Sequence, residues 1–548
     1  MLTSSMTLHQ AFAERVQEHP NREALVCGQD RLTYADLSER SAALARGLAR
    51  LGIGRGERVV SLLPPGWHFA ALFFALARLG AVSVPVNPQF RSRVLELILR
   101  EAEPAAIVAT GEATEGPQTL RDLAQATAPQ SRLILAEGDT AGALRFADVL
   151  ATPGSPPEPA ALSPDDLAVI LYTSGTTGVP KGVMHSHRGL IAPVVASMRL
   201  RRMWLHKPTP AQLARMAGLV RRYGKRLLQA AGRPQTFLTA IGGHAIAGIE
   251  AMLQALLMGD RLVLMPRFHP VEALRLIQQE RVTVLIAPPL ALSLLVRMRD
   301  IERYDLSSLL ICGTGSAPCP PELARQVQER FGCAIHIGYG TTEIGGGISA
   351  TSVEDSVDRQ AETVGRPMSG MEIRIVDESR RPLPPGQVGE LACRSESRML
   401  GYYRAPELTQ DVLDEEGWYY TGDLAVMDEE GFIRIVGRKK DLIIRGGQNI
   451  YPEEIEQFLA RHEGIREAAV VGVPGPAGDE RVWAFVLPEE GGTLSAQEVL
   501  QYCREGLEAY KIPDQVRFVA EFPRSGLGKV QKTVLRAMAE AEEAGRSS

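Results

Sequence analysis

The sequence predicts a multidomain α/β protein, and two observations carry that prediction. Short apolar runs at 59–63, 81–84 and 106–109 alternate with helical segments, which is the pattern of βαβ units around a largely parallel sheet. The chain has 548 residues, too many for one ordinary hydrophobic core. The sequence therefore favours several α/β domains or subdomains.

The predicted elements follow one another in a clear order. Residues 8–51 predict a helix, a short strand and a second helix that begins at the capping residue Thr33. A Pro-, Ala- and Ser-rich region at 150–164 predicts an exposed connection. An alternating block then covers 237–339, and a strand-rich block that predicts a small β subdomain covers 364–403. A boundary near 437–441 precedes a compact α+β pattern.

Composition and charge exclude several classes of protein. The formal net charge is −5 and the pI is about 6.1, so we expect no nucleic-acid partner. The six cysteines show neither a C-x-x-C pair nor zinc spacing, which predicts reduced thiols in a cytoplasmic protein. The longest apolar stretch, 69–86, is interrupted by Arg78, Gly80 and Pro85, so it predicts a core helix and a strand rather than a transmembrane segment. The N-terminus has no signal-peptide pattern.

The most informative stretch reads YTSGTTGVPKG and spans 172–182, directly after an apolar run that predicts a buried strand. Glycines let backbone N–H groups approach an anion, hydroxyls add donors, and one lysine supplies a point charge. A Walker loop is excluded because Pro180 precedes the lysine and Gly182 follows it. The stretch predicts a polyphosphate-binding loop made by Thr173, Ser174, Gly175, Thr176, Thr177, Gly178 and Lys181.

Four further motifs follow along the chain. The first, GYGTTE at 338–343, combines close-approach glycines with an aromatic face at Tyr339, hydroxyls at Thr341 and Thr342, and a carboxylate at Glu343 that can hold Mg²⁺. The others are YTGDL at 420–424, RGGQNIYPEEI at 445–455 and FPRSGLGKV at 522–530.

The five motifs, in this order and over nearly the whole chain, resemble those of the adenylate-forming (AMP-binding) superfamily, and within it those of acyl-CoA synthetases and fatty-acid or aryl-CoA ligases. The resemblance implies an α/β fold with a large multi-subdomain N-terminal domain, which has parallel-rich sheets and a small β subdomain, plus a mobile α+β C-terminal domain. It implies an ATP and acyl pocket within residues 1–436, a hinge at 437–441 and a C-terminal domain at 442–548.

The resemblance also implies roles for individual residues. Lys529 is the expected catalytic lysine, Thr342 and Glu343 act at the phosphates with Glu343 as the metal ligand, and His244 stands at the acyl site. Lys440 stands at the hinge. The remaining residues expected to bind nucleotide or CoA, beside the phosphate loop, are Gly315, Ser316, Ala317, Tyr339, Gly340, Thr341, Asp423, Arg438, Lys440, Gly446 and Gly447.

The implied cofactors are ATP, Mg²⁺ and CoA. The implied reaction joins a carboxylate to ATP to give acyl-AMP and pyrophosphate, after which CoA attacks to give acyl-CoA and AMP. The chain departs from the family pattern in one residue and in one three-residue segment. Leu527 stands where relatives usually have Ser or Thr, and Ile241-Gly242-Gly243 precede His244 where relatives often have Pro-Leu-Phe.

The sequence restricts the acid only in part. No acidic residue occurs between Lys181 and Glu250, so an α-ammonium would have no partner there. We therefore expect a hydrophobic acid without an α-amino group. Small residues at 242, 243, 313, 315 and 345–347 suggest a roomy apolar pocket, and fatty, alicyclic and aromatic acids all stay open. His244 is either a site residue or a packed core histidine.

The basic segment 199–233 is longer than expected for the family and contains no acidic residue. Leu213, Met216, Val220, Tyr223 and Leu227 form an apolar helical stripe in it. The segment is either a solvated amphipathic helix or a contact surface for an acyl carrier protein, CoA phosphates or an anionic membrane. An acyl carrier protein loaded in trans is thus an alternative to CoA as the acyl acceptor. The alternative to an enzyme is a protein that binds nucleotide or an acyl group without turnover.

Overall fold

The computed structural model describes residues 2–90, 92–111, 117–173, 180–203, 210–226, 232–445, 448–475, 480–489, 494–524 and 529–547. Its helices are α1 (Leu8–Glu18), α2 (Tyr34–Arg50), α3 (Trp67–Leu79), α4 (Ser92–Ala102), α5 (Pro117–Thr127), α6 (Phe146–Leu150), α7 (His187–Met203), α8 (Pro210–Tyr223), α9 (Ile246–Leu257), α10 (Pro270–Gln279), α11 (Pro289–Val296), α12 (Pro321–Phe331), α13 (Val357–Glu362), α14 (Pro406–Val412), α15 (Pro452–Leu459), α16 (Ala496–Gly506) and α17 (Lys532–Ser547).

The strands of the same residues are β1 (Glu23–Cys27), β2 (Asp30–Thr33), β3 (Arg58–Leu62), β4 (Val82–Pro85), β5 (Ala106–Ala109), β6 (Arg132–Leu135), β7 (Leu144–Arg145), β8 (Leu167–Thr173), β9 (Lys181–Ser186), β10 (Thr236–Thr239), β11 (Arg261–Leu264), β12 (Val284–Ile286), β13 (Ile311–Thr314), β14 (Ala334–Thr341), β15 (Gly346–Ala350), β16 (Arg366–Pro367), β17 (Glu372–Val376), β18 (Gly389–Arg394), β19 (Gly401–Tyr402), β20 (Tyr419–Met427), β21 (Ile433–Arg438), β22 (Ile443–Arg445), β23 (Gln448–Ile450), β24 (Ile465–Pro474), β25 (Glu480–Pro488) and β26 (Gln515–Phe518).

The chain divides into two compact units, one of residues 1–372 and 393–419 and one of residues 373–392 and 420–548. The first unit contains two large sheets in the described residues. One has the order β19-β9-β8-β4-β3-β5-β6-β7, and the other has the order β16-β15-β14-β13-β12-β10-β11-β1-β2. The central pairs of both sheets are parallel. Antiparallel pairs lie at both ends of the second of these sheets and at the β19-β9-β8 end of the first, whereas its other end pair, β6 and β7, is parallel. The predicted α/β fold with parallel-rich sheets is confirmed.

Local sequence explains how the first unit begins. Thr33 accepts a hydrogen bond from the backbone N–H of Asp36, whose side chain accepts from the N–H of Thr33, so the predicted cap is a reciprocal capping box. Helix α3 is buried on nearly all sides and packs against α2, as its apolar sequence predicts. The single strand predicted before α2 is in fact a hairpin, β1 and β2, which turns at Gly28 with φ +59°.

The described residues of the second unit form three small sheets. The four-stranded sheet β17-β18-β20-β21 is the small β subdomain, and β24-β25-β26 with β22-β23 form the sheets of the C-terminal α+β part. The strand-rich segment 364–403 does not form one sheet, because β16 and β19 join the two large sheets of the first unit. A local pattern predicts strands, whereas their partners lie far away in sequence. The predicted division at 437–441 stays a prediction.

Candidate active site

The predicted phosphate loop connects two antiparallel strands. Strand β8 pairs with β9, and the register sets Thr173 opposite Lys181. Ser174, Gly175, Thr176, Thr177 and Gly178 lie outside the described residues. The hairpin differs from a Walker loop, which connects a strand directly to a helix. The pairing holds Lys181 at the beginning of β9.

Lys181 and Glu343 are connected through Tyr402. Strand β19 pairs with β9, with Tyr402 opposite Val183, and this pairing brings the tyrosine beside the lysine. The Lys181 Nζ lies 5.2 Å from the centre of the Tyr402 ring, within the range of a cation–π contact. The Tyr402 hydroxyl donates a hydrogen bond to Glu343 Oε1 at 2.9 Å. Tyr402 was not among the predicted residues, since nothing in the sequence around 402 indicates its partner.

Glu343 lies in the 3₁₀ turn Thr342–Ile344 at the end of β14. Two contacts fix the backbone of this turn. The carbonyl of Thr342 lies 2.7 Å from His185 Nε2, and the carbonyl of Glu343 accepts from the N–H of Met399 at 2.6 Å. Burial lowers the pKa of His185 to about 4, so the ring is neutral at pH 7 and Nε2–H is the donor. His185 is a second residue that sequence analysis missed.

Two predicted glycines are required by close backbone contacts. A Cβ on Gly340 would lie 1.9 Å from the Gly346 carbonyl oxygen, and a Cβ on Gly315 would lie 2.7 Å from that of Gly338. Both distances are shorter than any ordinary Cβ contact. The segment Gly315, Ser316 and Ala317, with Ser316 at φ +65°, is therefore held against strand β14. Tyr339, Gly340 and Thr341 form the end of that strand.

The predicted ribose-binding pair lies in the second unit. Asp423 and Arg438 are opposite each other on β20 and β21, and Arg438 Nε lies 3.0 Å from Asp423 Oδ1. Asp423 is buried, and its backbone N–H donates to Thr421 Oγ1 at 3.1 Å. The structure thus brings these two predicted residues together across one strand pair.

Three more predicted residues belong to the second unit. Lys440 is exposed in the 3₁₀ turn Lys439–Asp441. Lys529 is exposed beside Val530, which forms a bridge with Arg524. Gly446 and Gly447 lie outside the described residues.

His244 follows β10 and precedes α9. Its Nδ1 is buried and has no hydrogen-bond partner within the described part of the chain. Burial lowers the pKa of His244 to about 4, so the ring is neutral at pH 7. Such a ring can donate or accept one hydrogen bond to a ligand, yet it also fits a packed core histidine.

Most of the small residues that were predicted to leave a roomy pocket are in close contact with other residues, so that a Cβ there would have no space. A Cβ on Gly243 would lie 2.0 Å from the Phe69 ring, and one on Gly242 would lie 2.6 Å from His244 Nδ1. A Cβ on Gly347 would lie 2.4 Å from Met368 Sδ, whereas Gly313 has no such neighbour closer than 3.8 Å. The smallness of these residues therefore reflects close packing and does not by itself indicate empty volume.

The site residues fit a nucleotide and a magnesium ion in two respects. The buried hydroxyl of Thr314, beside Gly315, has no hydrogen-bond partner among the described residues, which suits a polar ligand. No group of three or more His, Cys, Asp or Glu in those residues can hold a metal. A Mg²⁺ at Glu343 would take further ligands from outside this set, and phosphate oxygens and water are its common ligands.

The basic segment uses several of its arginines inside the protein. Arg201 pairs with the buried Asp260 at 2.9 Å. Arg226 donates to the carbonyls of Ser307 and Gly332 at 2.7 and 2.8 Å, whereas Lys225 is exposed. Part of the positive charge is thus structural. The predicted stripe residues Leu213 and Leu227 are among those whose side chains or positions are not described.

Comparison with known proteins identifies the class. The AMP-binding enzyme family model matches residues 12–403, and the AMP-binding enzyme C-terminal domain model matches residues 454–529. The chain therefore belongs to the AMP-binding, adenylate-forming enzyme family. The predicted family is confirmed, and with it the predicted enzyme class, an acid–thiol ligase.

Individual relatives span almost the whole chain. Triostin synthetase I of Streptomyces triostinicus is 36% identical over 95% of this chain and 92% of its own length. The medium-chain fatty-acid–CoA ligase of Escherichia coli (strain K12) is 34% identical over 92% of this chain and 85% of its own. The crystal structure of ATP-bound MatB from Rhodopseudomonas palustris has a TM-score of 0.83 at 28% identity, covering 98% of this chain and 99% of that one.

The sequence predicts no transmembrane segment, and the structure allows its helices to be compared with that prediction. Among the described residues, no helix combines the length and the apolar content that crossing a membrane requires.

Proposed function

We propose that the protein is an AMP-forming acyl-CoA ligase. A carboxylate attacks the α-phosphorus of ATP to give an acyl adenylate and pyrophosphate, and the thiol of CoA then displaces AMP to give the thioester. The connected set Lys181, Tyr402 and Glu343 carries the proposal, because it combines a cation and a carboxylate at the motif that the family uses for phosphates. Similarity to a fatty-acid–CoA ligase over most of the chain supports CoA as the acceptor.

The residues of the chain mainly orient the substrates and stabilise charge, because phosphoryl chemistry asks little covalent work of a protein. Lys181 holds the leaving pyrophosphate together with the hydroxyls of the phosphate loop. Glu343 would hold Mg²⁺, and the ion would supply neutralisation of phosphate charge. Asp423 accepts hydrogen bonds from the ribose hydroxyls, and Arg438 keeps its carboxylate oriented.

Lys529 bridges the carboxylate and an α-phosphate oxygen during adenylation. The C-terminal domain then turns about Lys440, so that Lys529 leaves and Gly446 and Gly447 line the path of the thiol. His244 lies at the acyl site as a neutral ring. The acid is a fatty, alicyclic or aromatic carboxylate without an α-amino group.

The test is pyrophosphate release over a panel of short, medium and long fatty acids and of cyclic and aromatic acids, each with and without CoA. The proposal expects pyrophosphate release that depends on the acid, AMP as the second product, and a CoA thioester identified by mass spectrometry. Adenylate that forms but does not react with CoA would contradict the proposed acceptor and favour a carrier protein. A lack of pyrophosphate with every acid would contradict the proposed function.

A further inference from the structure

Glu250 on helix α9 is a carboxylate without a protein partner. It makes no hydrogen bond or ion pair within the described part of the chain. The side chain is partly buried, and this burial raises the pKa of Glu250 to about 7. A partly buried carboxylate with no partner in the protein can accept a hydrogen bond from water or from a ligand.

The carboxylate lies directly against the predicted active site. A Cβ on Gly346 would lie 2.6 Å from Glu250 Oε2, so the carboxylate touches the backbone of strand β15. Gly346 is paired with Thr341 in the antiparallel ladder of β14 and β15, and Thr341 belongs to the motif that contains Glu343. Gly346 thus connects Glu250 to the strand that ends in the predicted phosphate-binding turn.

A neighbouring polar residue on the same helix behaves differently. Gln254, one turn further along α9, donates to Ser197 Oγ at 3.0 Å and also contacts the Pro193 carbonyl, both on helix α7. Its polar group is therefore satisfied within the protein. No charged side chain of the described residues on α7, α9 or β15 interacts with the Glu250 carboxylate. Glu250 is thus an available acceptor, whereas the Gln254 amide is a donor already bonded within the protein.

We infer that Glu250 is a specificity-determining residue, which accepts a hydrogen bond from an amino or hydroxyl group on the chain or ring of the acyl substrate. The inference rests on the proposed function, since it needs an acid to be activated at this site. A bound N–H or O–H donor supplies the partner that the carboxylate lacks, whereas an acid without a donor leaves it unpaired. The donor lies on the acyl chain or ring, so the expectation of an acid without an α-amino group is kept.

The experiment compares matched pairs of acids. Benzoate is measured beside its amino and hydroxy derivatives, and hexanoate beside its terminal amino and hydroxy derivatives, with kcat/KM for pyrophosphate release as the readout. In the unsubstituted protein, at least one donor-bearing acid should exceed its parent acid by about tenfold or more. Glu250→Met, which removes the acceptor and keeps a side chain of similar length, should lower that ratio to about one or reverse it.

Glu250→Gln separates the two kinds of donor. A preference for a protonated alkylamine needs the negative charge and should be lost, whereas a preference for a hydroxyl or an arylamine should largely survive, because the amide oxygen still accepts. Gln254→Met is the matched control, because its amide is already bonded to Ser197. It should leave the ratio unchanged.

The outcomes distinguish this inference from the proposed function. If acids are activated but the ratio is the same in the unsubstituted protein, Glu250→Met and Glu250→Gln, the role of Glu250 is wrong and the ligase proposal stands. If no acid releases pyrophosphate with any of these proteins, both proposals fail. Thermal melting of each variant shows whether it is folded. If Glu250→Met is not folded, the comparison uses Glu250→Gln, which keeps the shape of the side chain.

Discussion

The Tyr402 hydroxyl donates a hydrogen bond of 2.9 Å to Glu343 Oε1. The two residues are 59 positions apart and come from different elements, strand β19 and the turn after β14. Because one oxygen of Glu343 accepts from Tyr402, the carboxylate is held in one orientation, and on the proposed function it would be ready for a phosphate-bound Mg²⁺. Preorganisation of this kind lowers the cost of binding the ion.

Tyr402→Phe should raise the Mg²⁺ concentration that pyrophosphate release requires, without unfolding the protein. The substitution removes a hydrogen bond to a charged group but keeps the ring over which Lys181 lies. A loss of about tenfold in kcat/KM at limiting Mg²⁺ is expected. The measurement is a Mg²⁺ titration of pyrophosphate release. Tyr403→Phe is the control, and equal effects of both substitutions would contradict the role of Tyr402.

Asp423→Asn should raise the KM for ATP. Asp423 is buried and Arg438 Nε lies 3.0 Å from its Oδ1. The substitution therefore removes the charge that pairs with the arginine and that is proposed to bind the ribose hydroxyls. A hydrogen bond to a charged group contributes about 1.5–3 kcal/mol, which predicts a KM roughly 10- to 100-fold higher. Arg434→Ala, at an exposed position of β21, the strand of Arg438, should change the KM for ATP little. An unchanged KM for ATP in Asp423→Asn would place the ribose elsewhere.

Glu250→Gln should stabilise the ligand-free protein at alkaline pH. Burial raises the pKa of Glu250 from 4.5 to about 7, so the folded state resists ionisation of this group. The destabilisation is absent below pH 4.5, grows as the pH rises towards 7 and is complete above it. Its size is roughly 3 kcal/mol, from 1.36 kcal/mol per pKa unit.

The measurement for this prediction is thermal melting of both proteins between pH 5 and pH 8. The melting temperature of Glu250→Gln should exceed that of the unsubstituted protein by more at pH 8 than at pH 5. The lack of charged neighbours in the described residues of α7, α9 and β15 makes Glu250 itself the source of the difference. A difference that does not depend on pH would mean that the carboxylate is not titrating in this range.

Lys529→Ala and Lys440→Pro should separate the two half-reactions. Lys529→Ala should lose adenylation by at least about 100-fold, because the charge between the carboxylate and the α-phosphate is gone, and should still convert a supplied acyl adenylate to the thioester. Lys440→Pro should form the adenylate and fail in the second step, because proline fixes φ at the expected hinge. The two half-reactions are assayed separately. Loss of the same half-reaction in both variants would exclude rotation about Lys440.

Much of the fold could be predicted because it depends on local pattern. The run at 106–109 is strand β5 as expected, and Thr33 caps helix α2 as its spacing with Asp36 indicates. Tyr402 and His185 could not be predicted in the same way. Their roles depend on the pairing of β19 with β9 and on the contact of β9 with the turn after β14, and such long-range pairings have no local signal.

The acyl site shows where residue size is a poor guide. Gly346 suggested open space, yet its neighbour is the Glu250 carboxylate. The stretch without acidic residues ends at Glu250. The sequence therefore shows that this carboxylate exists, but it does not show that the carboxylate lies beside Gly346. A glycine is equally the mark of a close approach and of an empty pocket, and only the neighbours decide between them.

Isotope transfer tests the central claim most directly. An acid that the panel identifies is labelled with ¹⁸O in its carboxylate and is incubated with ATP, Mg²⁺ and CoA, and the phosphate products are analysed by mass spectrometry. Attack of the carboxylate on the α-phosphorus predicts that one carboxylate oxygen appears in AMP and that pyrophosphate is unlabelled. If the label appears in inorganic phosphate and ADP is the nucleotide product, the reaction does not pass through an acyl adenylate, and the proposed function is wrong.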